Sequence, residues 1–188
     1  MDEDYPERRH TAYHEAGHAI AAIKTPRGAV EHIDICDRNN NDAESGGTNC
    51  SSVTADDAFR VYGGPWAHVK FYRPADALTF YDVLTCIYAN NDDQDLFIHY
   101  AERDAEIFTA ETFEDWHERA DGVMSAAWEA QEVQNLAEEM LARAKKIRLS
   151  NGQLLIRDSW RDRWVCKDFV PAPEEGKGLV GPLPPFNH

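Results

Sequence analysis

The chain has 188 residues, of which 34 are acidic and 19 are basic, so its formal net charge at pH 7 is −15. This length fits one compact domain with a core of its own. Because the phosphates of nucleic acids attract basic surfaces, the charge argues against a nucleic-acid partner. The sequence has no phosphate-binding loop of the G-x-x-x-x-G-K-[ST] type and no apolar run of about 18 residues, so we expect neither ATP binding nor a membrane anchor.

The first predicted element is a helix over residues 6 to 24, which carries an H-E-x-x-H pattern made by His14, Glu15 and His18. Side chains four residues apart lie on one face of a helix, so both imidazoles can reach the same metal ion. The pattern therefore predicts a zinc-site helix. The competing interpretation is an ordinary histidine pair, satisfied at the surface or in the core.

The two sides of this helix differ in character. The arc opposite the histidines is apolar and comprises Ala12, Ala16, Ala19, Ile20 and Ile23. This arc is suited to packing, and the histidine face is suited to binding. Gly17 and Ala21 flank the histidines with little side-chain bulk, which predicts space for an ion, a water and a substrate backbone beside the helix.

Strands are expected next, within residues 29 to 53, with a polar insertion at residues 37 to 42. A helical middle is predicted from about residue 55 to 148. Thr54 is positioned to cap its first helix, with the acidic residues Asp56 and Asp57 in the opening turn.

The C-terminal part of the helical middle, from residue 113 to 146, has apolar residues at helical spacing and basic residues at its end. Asn151 and Gly152 stand between apolar residues, which predicts a β-hairpin. From Pro171 onward the chain has five prolines and three glycines, which predicts an extended tail.

Residues 11 to 20, T-A-Y-H-E-A-G-H-A-I, closely resemble the zinc helix of the peptidase domain of FtsH-type proteases, the M41 family. Residues 30 to 35 look like the strand that follows this helix in the family, and residues 44 to 48 look like its glycine-marked edge strand. Residues 63 to 68, G-G-P-W-A-H, resemble its G-G-x-x-A-E helix, with His68 in place of the acid. Pro65 predicts a kink here, or a new helix that begins at this proline.

The resemblance covers roughly residues 9 to 110 and implies an α+β, mainly helical, zincin-like peptidase fold with a small β element after the zinc helix. The hairpin and the tail complete the chain. We therefore expect an M41-like metallopeptidase domain over residues 1 to 148, followed by the hairpin and a Pro/Gly-rich tail over residues 149 to 188.

A zinc hydrolase usually holds its metal with three protein ligands. The resemblance implies that the third is an aspartate at the start of a later helix, where Asp92, Asp93 and Asp95 lie. We favour Asp93, because this register puts Phe97, Ala101, Ala105 and Phe108 on the buried side of the following helix, which is the phase that the family pattern has. Asp92 is the next candidate, although its register would bury Asp104, and Asp95 is the third. The other acids of this cluster are explained by a favourable charge at a helix start.

These residue types predict a zinc peptidase that needs no ATP. Two neutral imidazoles and one carboxylate leave Zn²⁺ with a net positive charge, so a bound water ionises near neutral pH. Glu15 is the expected proton acceptor for this water and the donor to the leaving amine. An unfolded or extended peptide substrate would add to the edge strand at Gly46, Gly47 and Thr48 through main-chain hydrogen bonds.

The alternative function is a catalytically weak zinc-containing binding or regulatory module with the same fold, which the departures at Pro65 and His68 keep open. The four cysteines are scattered, and the N-terminus lacks the basic and apolar layout of a secretion signal. We therefore expect a cytoplasmic location. The sequence predicts no particular oligomeric state.

Overall fold

The computed structural model of the chain describes residues 6–35, 46–104, 113–158 and 162–181. The insertion predicted at residues 37 to 42 lies outside the described residues, as do Ala105 and Phe108. The described part is an α+β fold, about 56% helical, with six helices and one five-stranded antiparallel sheet. The helices are α1 (Pro6–Lys24), α2 (Asp57–Tyr72), α3 (Phe80–Ala89), α4 (Asn91–Asp104), α5 (Phe113–Glu129) and α6 (Glu132–Leu141).

The sheet joins strands from both ends of the sequence. Its strands are β1 (Ala29–Ile35), β2 (Gly46–Ser51), β3 (Lys146–Arg148), β4 (Leu154–Arg157) and β5 (Arg163–Cys166). They lie in the order β2-β1-β5-β4-β3, and every neighbouring pair is antiparallel. The β element after the first helix and the C-terminal hairpin, which the sequence predicts separately, are therefore parts of one sheet. β2 lies at the edge of this sheet, as predicted.

The first helix matches its predicted range of 6 to 24 and packs against α2, α6 and the strand β1. Its predicted apolar arc is buried throughout, and so are Tyr13, Ala21 and Ala22 outside that arc. A helix that is apolar on most of its circumference belongs in the interior of a domain. The zinc-site pattern is thus carried by a central helix.

Glycines bring α1 and α2 into close contact. A Cβ atom added at Gly17 would lie 2.6 Å from the Cβ of Ala67 and closer still to the carbonyl oxygen of Gly63. A Cβ added at Gly63 would lie 2.5 Å from the Cβ of Ala21. The prediction that Gly17 and Ala21 leave space for an ion and a substrate was therefore wrong, because α2 fills that space.

The start of α2 also differs from the prediction. Thr54 does not cap this helix; it begins a 3₁₀ turn, Thr54–Asp56, and Asp56 is the N-cap residue of α2, without a capping hydrogen bond from its side chain. The fully buried Asp56 carboxylate instead accepts hydrogen bonds from the backbone N–H groups of residues 179 to 181, at 2.6 to 3.0 Å. Downstream, the helix continues through Pro65, so no new helix begins there.

The C-terminal hairpin is confirmed, with β3 and β4 paired around a turn in which Gly152 has a φ of +91°. The domain boundary predicted between residues 148 and 149 falls within this hairpin. Residues 171 to 181 form neither helix nor strand, and they contact Ser51, the 3₁₀ turn before α2, and α5. There the carbonyl oxygens of Val180 and Gly181 accept hydrogen bonds from Arg119 and Trp116.

Candidate metal centre

Three side chains from two helices converge beside α1. His14 and His18 come from successive turns of α1, and Asp93 comes from the first turn of α4. The Nε2 atoms of His14 and His18 are 3.0 Å apart. Asp93 reaches both rings, with Oδ2 at 3.0 Å from Nε2 of His14 and Oδ1 at 3.2 Å from Nε2 of His18. These three residues form a group that could hold a metal ion.

The first turn of α4 explains why Asp93 takes this position. The side-chain oxygen of Asn90, the residue before the helix, accepts hydrogen bonds from the backbone N–H groups of Asp92 and Asp93. This arrangement is that of a helix N-cap. Phe97, one turn later on the same face as Asp93, is buried in the core. Asp93 is thereby turned inward, whereas Asp92 and Asp95 are exposed.

The orientation of His18 is fixed by a hydrogen bond of Nδ1, the ring nitrogen that does not face the triad. Its Nδ1 atom donates a hydrogen bond to the backbone carbonyl oxygen of Arg60, at 3.0 Å. A proton held on Nδ1 leaves Nε2 of the neutral ring as an electron-pair donor. Gly64 of α2 faces the ring, and a Cβ atom there would lie 2.5 Å from Cε1 of His18. Gly64, the second glycine of the G-G pair, therefore makes room for the ring of His18, a candidate metal ligand.

The charges of the triad depend on one another. Burial alone would raise the pKa of Asp93, but the adjacent His18 and His14 hold that pKa well below its usual range. Burial alone would lower the pKa of His18, but Asp93 and Glu15 raise it to about 9. In the metal-free protein the proton held by His18 therefore balances the charge of the Asp93 carboxylate, which is only 6% exposed.

The donor set fits a divalent cation such as Zn²⁺. Two imidazole nitrogens and a carboxylate are typical zinc ligands, and donors in a tetrahedral zinc site with bonds of about 2.0 Å lie about 3.3 Å apart. The Nε2 atoms of His14 and His18, 3.0 Å apart, are close to that spacing, and each lies 3.0 to 3.2 Å from a different oxygen of Asp93. In addition, the buried Oδ2 atom of Asp93 lies 3.0 Å from Nε2 of His14 but makes no hydrogen bond of acceptable geometry within the described residues. A cation among these atoms would satisfy it.

Glu15 lies beside the triad and is held by the edge strand. The hydroxyl of Thr48 in β2 donates hydrogen bonds to Oε2 of Glu15, at 2.7 Å, and to its backbone carbonyl, at 3.1 Å. Gly46 packs directly on this carboxylate, since a Cβ atom there would lie 2.6 Å from Oε1. Gly47, the third residue predicted to contact substrate, has no non-adjacent neighbour among the described residues within 4 Å of a Cβ at its position.

Comparisons with protein-family models, with curated proteins and with solved structures find no match to this chain. Within the described residues, no helix has both the length and the apolar character needed to cross a membrane.

A cleft of about 420 Å³ opens above the triad and is lined in part by His14, Glu15 and Gly46. It also contains residues that the sequence did not point to as site residues, among them His10, Cys86 and Asn90. His10 precedes His14 by four residues, so helical spacing was a signal that could have identified it. Cys86 and Asn90 reach the cleft through tertiary packing, and no local pattern marks them.

His68, noted from the sequence only as a departure from a motif, also lines this cleft. Its ring lies 6.0 Å from that of His14 and 5.8 Å from that of His10, measured between centroids. Burial, together with His14 and His10, lowers the pKa of His68 to about 4. His68 is therefore neutral at physiological pH.

Proposed function

We propose that this protein is a zinc-dependent, ATP-independent metallopeptidase that cleaves unfolded or extended peptides. The observation that carries the proposal is the convergence of His14, His18 and Asp93 next to Glu15, beside an open cleft that His14 and Glu15 line. A purely structural zinc site is closed by protein ligands. Here the described residues supply three metal ligands, and the carboxylate of Glu15, which is not one of them, lies beside the site.

In the proposed reaction the triad holds Zn²⁺, which when bound lowers the pKa of a water and polarises a carbonyl oxygen. The carboxylate of Glu15 accepts a proton from the attacking water and transfers it to the nitrogen of the leaving amine. Thr48 keeps this carboxylate in place through its hydrogen bond to Oε2. Burial of Glu15, which is 5% exposed, keeps bulk water from competing for the proton.

The peptide would bind along the edge strand β2. Edge strands present backbone N–H and C=O groups that can pair with an extended chain in a largely sequence-tolerant way. Gly46 and Thr48 both lie in β2 and both contact Glu15, so a peptide paired with this strand would pass the proposed proton acceptor. The net charge of −15 would favour basic segments over acidic ones.

We further infer that the fold is the zincin-like one of the M41 peptidase domains that the sequence resembles. The central α1 with its strand pair β1–β2, and the Gly63-Gly64 contact on α2, support this inference. The free cysteines Cys50, Cys86 and Cys166 fit the proposed cytoplasmic location, where thiols stay reduced.

The test compares the wild-type protein with Glu15→Gln on an unfolded casein, with added zinc and without ATP, and cleavage is followed by mass spectrometry. We expect Glu15→Gln to keep its metal but to cleave at least about 10²-fold more slowly, because an amide cannot accept the proton. His14→Ala and His18→Ala should lose both metal and cleavage. Asp93→Ala should lose metal, whereas Asp92→Ala is the matched control one residue away and should keep it.

Equal cleavage by the wild-type protein and Glu15→Gln would refute the role of Glu15. Stoichiometric metal in the histidine variants would refute the metal site. Metal binding without cleavage by either protein would favour the alternative function, a zinc-containing binding or regulatory module.

A further inference from the structure

The seam between α1 and α2 has a regular register. His18 faces Gly64, His14 faces His68, and His10 faces Tyr72. Each step along the seam advances four residues in both helices, in opposite directions, as expected for antiparallel helices that pack through one face each. His68 is thus set on the same level as one of the proposed metal ligands.

His68 is oriented toward the cleft but has no hydrogen-bond partner among the described residues. Its contacts are with the rings of His10, His14 and Tyr72, at centroid distances of 5.8, 6.0 and 5.4 Å. These contacts hold the plane of the ring without using its nitrogens. An imidazole carries an N–H group in either protonation state. His68 lines the cleft together with His14 and therefore brings an N–H donor without a described partner to the side of the triad.

Several other residues that line the cleft are engaged elsewhere or have the wrong chemistry. His10 is engaged by the hydroxyl of Tyr72, and the side-chain oxygen of Asn90 caps α4, so that only the amide nitrogen of Asn90 is left to donate. Glu15 and Asp92, when ionised, accept hydrogen bonds and cannot donate them. Burial and Asp93 raise the pKa of Cys86 to about 12, so it remains a thiol, which is a weak donor.

We infer that His68 is a catalytic residue that donates a hydrogen bond to the oxygen of the scissile carbonyl group. This inference rests on the proposed function. The carbonyl oxygen gains negative charge as water attacks the carbon, and a donor already fixed in place stabilises that charge without reorganising. Removing one such donor typically lowers kcat by about 10² to 10³ and leaves KM little changed.

The experiment uses His68→Leu, which removes the donor, and two rescue variants. In His68→Asn the amide nitrogen replaces Nδ1, and in His68→Gln it replaces Nε2, so recovery in one of them identifies the nitrogen that donates. The matched control is His99→Leu, at an exposed histidine on α4 that is not among the cleft residues.

The first readout needs no turnover. Each protein is loaded with Co²⁺, and the binding of a peptide phosphonate, whose charged oxygens resemble the developing oxyanion, is followed by visible absorption. A small thiol, which binds a metal through sulfur, serves as the second probe. We expect His68→Leu to bind the phosphonate about 10²-fold more weakly than wild type and the thiol equally well, with unchanged metal content. The second readout is kcat and KM on a peptide substrate.

The outcomes separate the inference from the function on which it rests. If His68→Leu binds the phosphonate as tightly as the wild-type protein, or loses affinity for both probes alike, the inference is overturned. A wild-type protein that binds no phosphonate overturns it as well. If the phosphonate affinity depends on His68 but the wild-type protein cleaves no peptide, the donor role stands and the proposed peptidase function fails.

Discussion

Replacing Gly64 with alanine should remove metal binding while leaving the fold in place. A Cβ atom at this position would lie 2.5 Å from Cε1 and 2.6 Å from Cδ2 of His18, and closer still to Nε2. Unstrained carbon contacts are about 3.5 to 4.0 Å, so the ring and the new methyl group must separate by about 1 Å or more. His18 is the mobile partner, because Gly64 is part of the backbone of a helix.

The magnitude follows from the tolerance of metal sites. Ligand distances in such sites vary by only about 0.2 Å, so a ring displaced by about 1 Å no longer coordinates. Changes that only disturb the surroundings of a ligand already cost about 10- to 100-fold in metal affinity. For Gly64→Ala we therefore expect a loss of at least about 100-fold. Strain of about 1 to 3 kcal/mol is partly offset by the better helix propensity of alanine, about 1 kcal/mol.

The assay is competition for zinc against a chromogenic chelator, with circular dichroism as the check on folding. A second readout needs no metal: the pKa of His18, about 9 in the wild-type protein, should move toward 6.5 in Gly64→Ala as the ring leaves Asp93, and NMR titration measures it. The control is Gly122→Ala, a glycine within α5 where an added Cβ would have no described atom within 4 Å apart from the local backbone of its own helix. Wild-type zinc affinity and an unchanged His18 pKa in Gly64→Ala would refute the reasoning.

Three further predictions concern the helix pair, the C-terminal segment and pH. Gly17→Ala should lower the free energy of unfolding by about 2 kcal/mol, because its Cβ would meet backbone atoms of Gly63 that cannot rotate away; an unchanged urea midpoint would contradict this packing. Asp56→Ala should cost about 3 kcal/mol and release residues 179 to 181, whose N–H groups its carboxylate accepts. Trypsin should then cleave after Lys177 faster, and an equal rate in both proteins would argue against this anchor. Because the pKa of His18 in the metal-free protein is raised to about 9, zinc binding at neutral pH should release about one proton; calorimetry in two buffers of different ionisation enthalpy measures it, and an identical heat in both would be the contrary result. Protonation of His18 in the folded state also stabilises the metal-free fold. This stabilisation is complete below pH 6.5 and is lost as the pH rises through about 9, so the urea midpoint should fall across that range.

Several parts of the fold could be predicted because short stretches of sequence determine them. Helical periodicity between two prolines defined α1, and Asn151-Gly152 between apolar residues defined the hairpin. His14, Glu15 and His18 could be chosen as candidate site residues because side chains four residues apart lie on one face of a helix. Asp93 could be preferred over Asp92 because the burial of Phe97 one turn later sets the phase of α4.

Other features depend on partners that are distant in sequence, and the tertiary structure alone decided them. Gly17 was predicted to leave space for a substrate. The backbone of Gly63, which follows 46 residues later in the sequence, fills that space, because two glycines allow the helix backbones to touch. Asp56 was predicted to support a helix start, yet its buried carboxylate binds the backbone of the C-terminal segment, more than 120 residues away. A charged residue or a glycine follows its local structural preference only when no contact with a distant part of the chain stabilises another arrangement more strongly.

The sequence by itself determined which side chains were available for chemistry: two imidazoles and a carboxylate on one helix, with an acidic cluster beyond them. The tertiary structure decided how closely Asp93 approaches the imidazoles, that the Arg60 carbonyl orients His18, and that His68 lines the cleft beside His14. The physical reason is that the two kinds of feature depend on interactions over different distances along the chain. The spacing of residues on a helix is set by local backbone geometry, whereas the approach of α2 and α4 to α1 depends on burial and close packing of the whole domain.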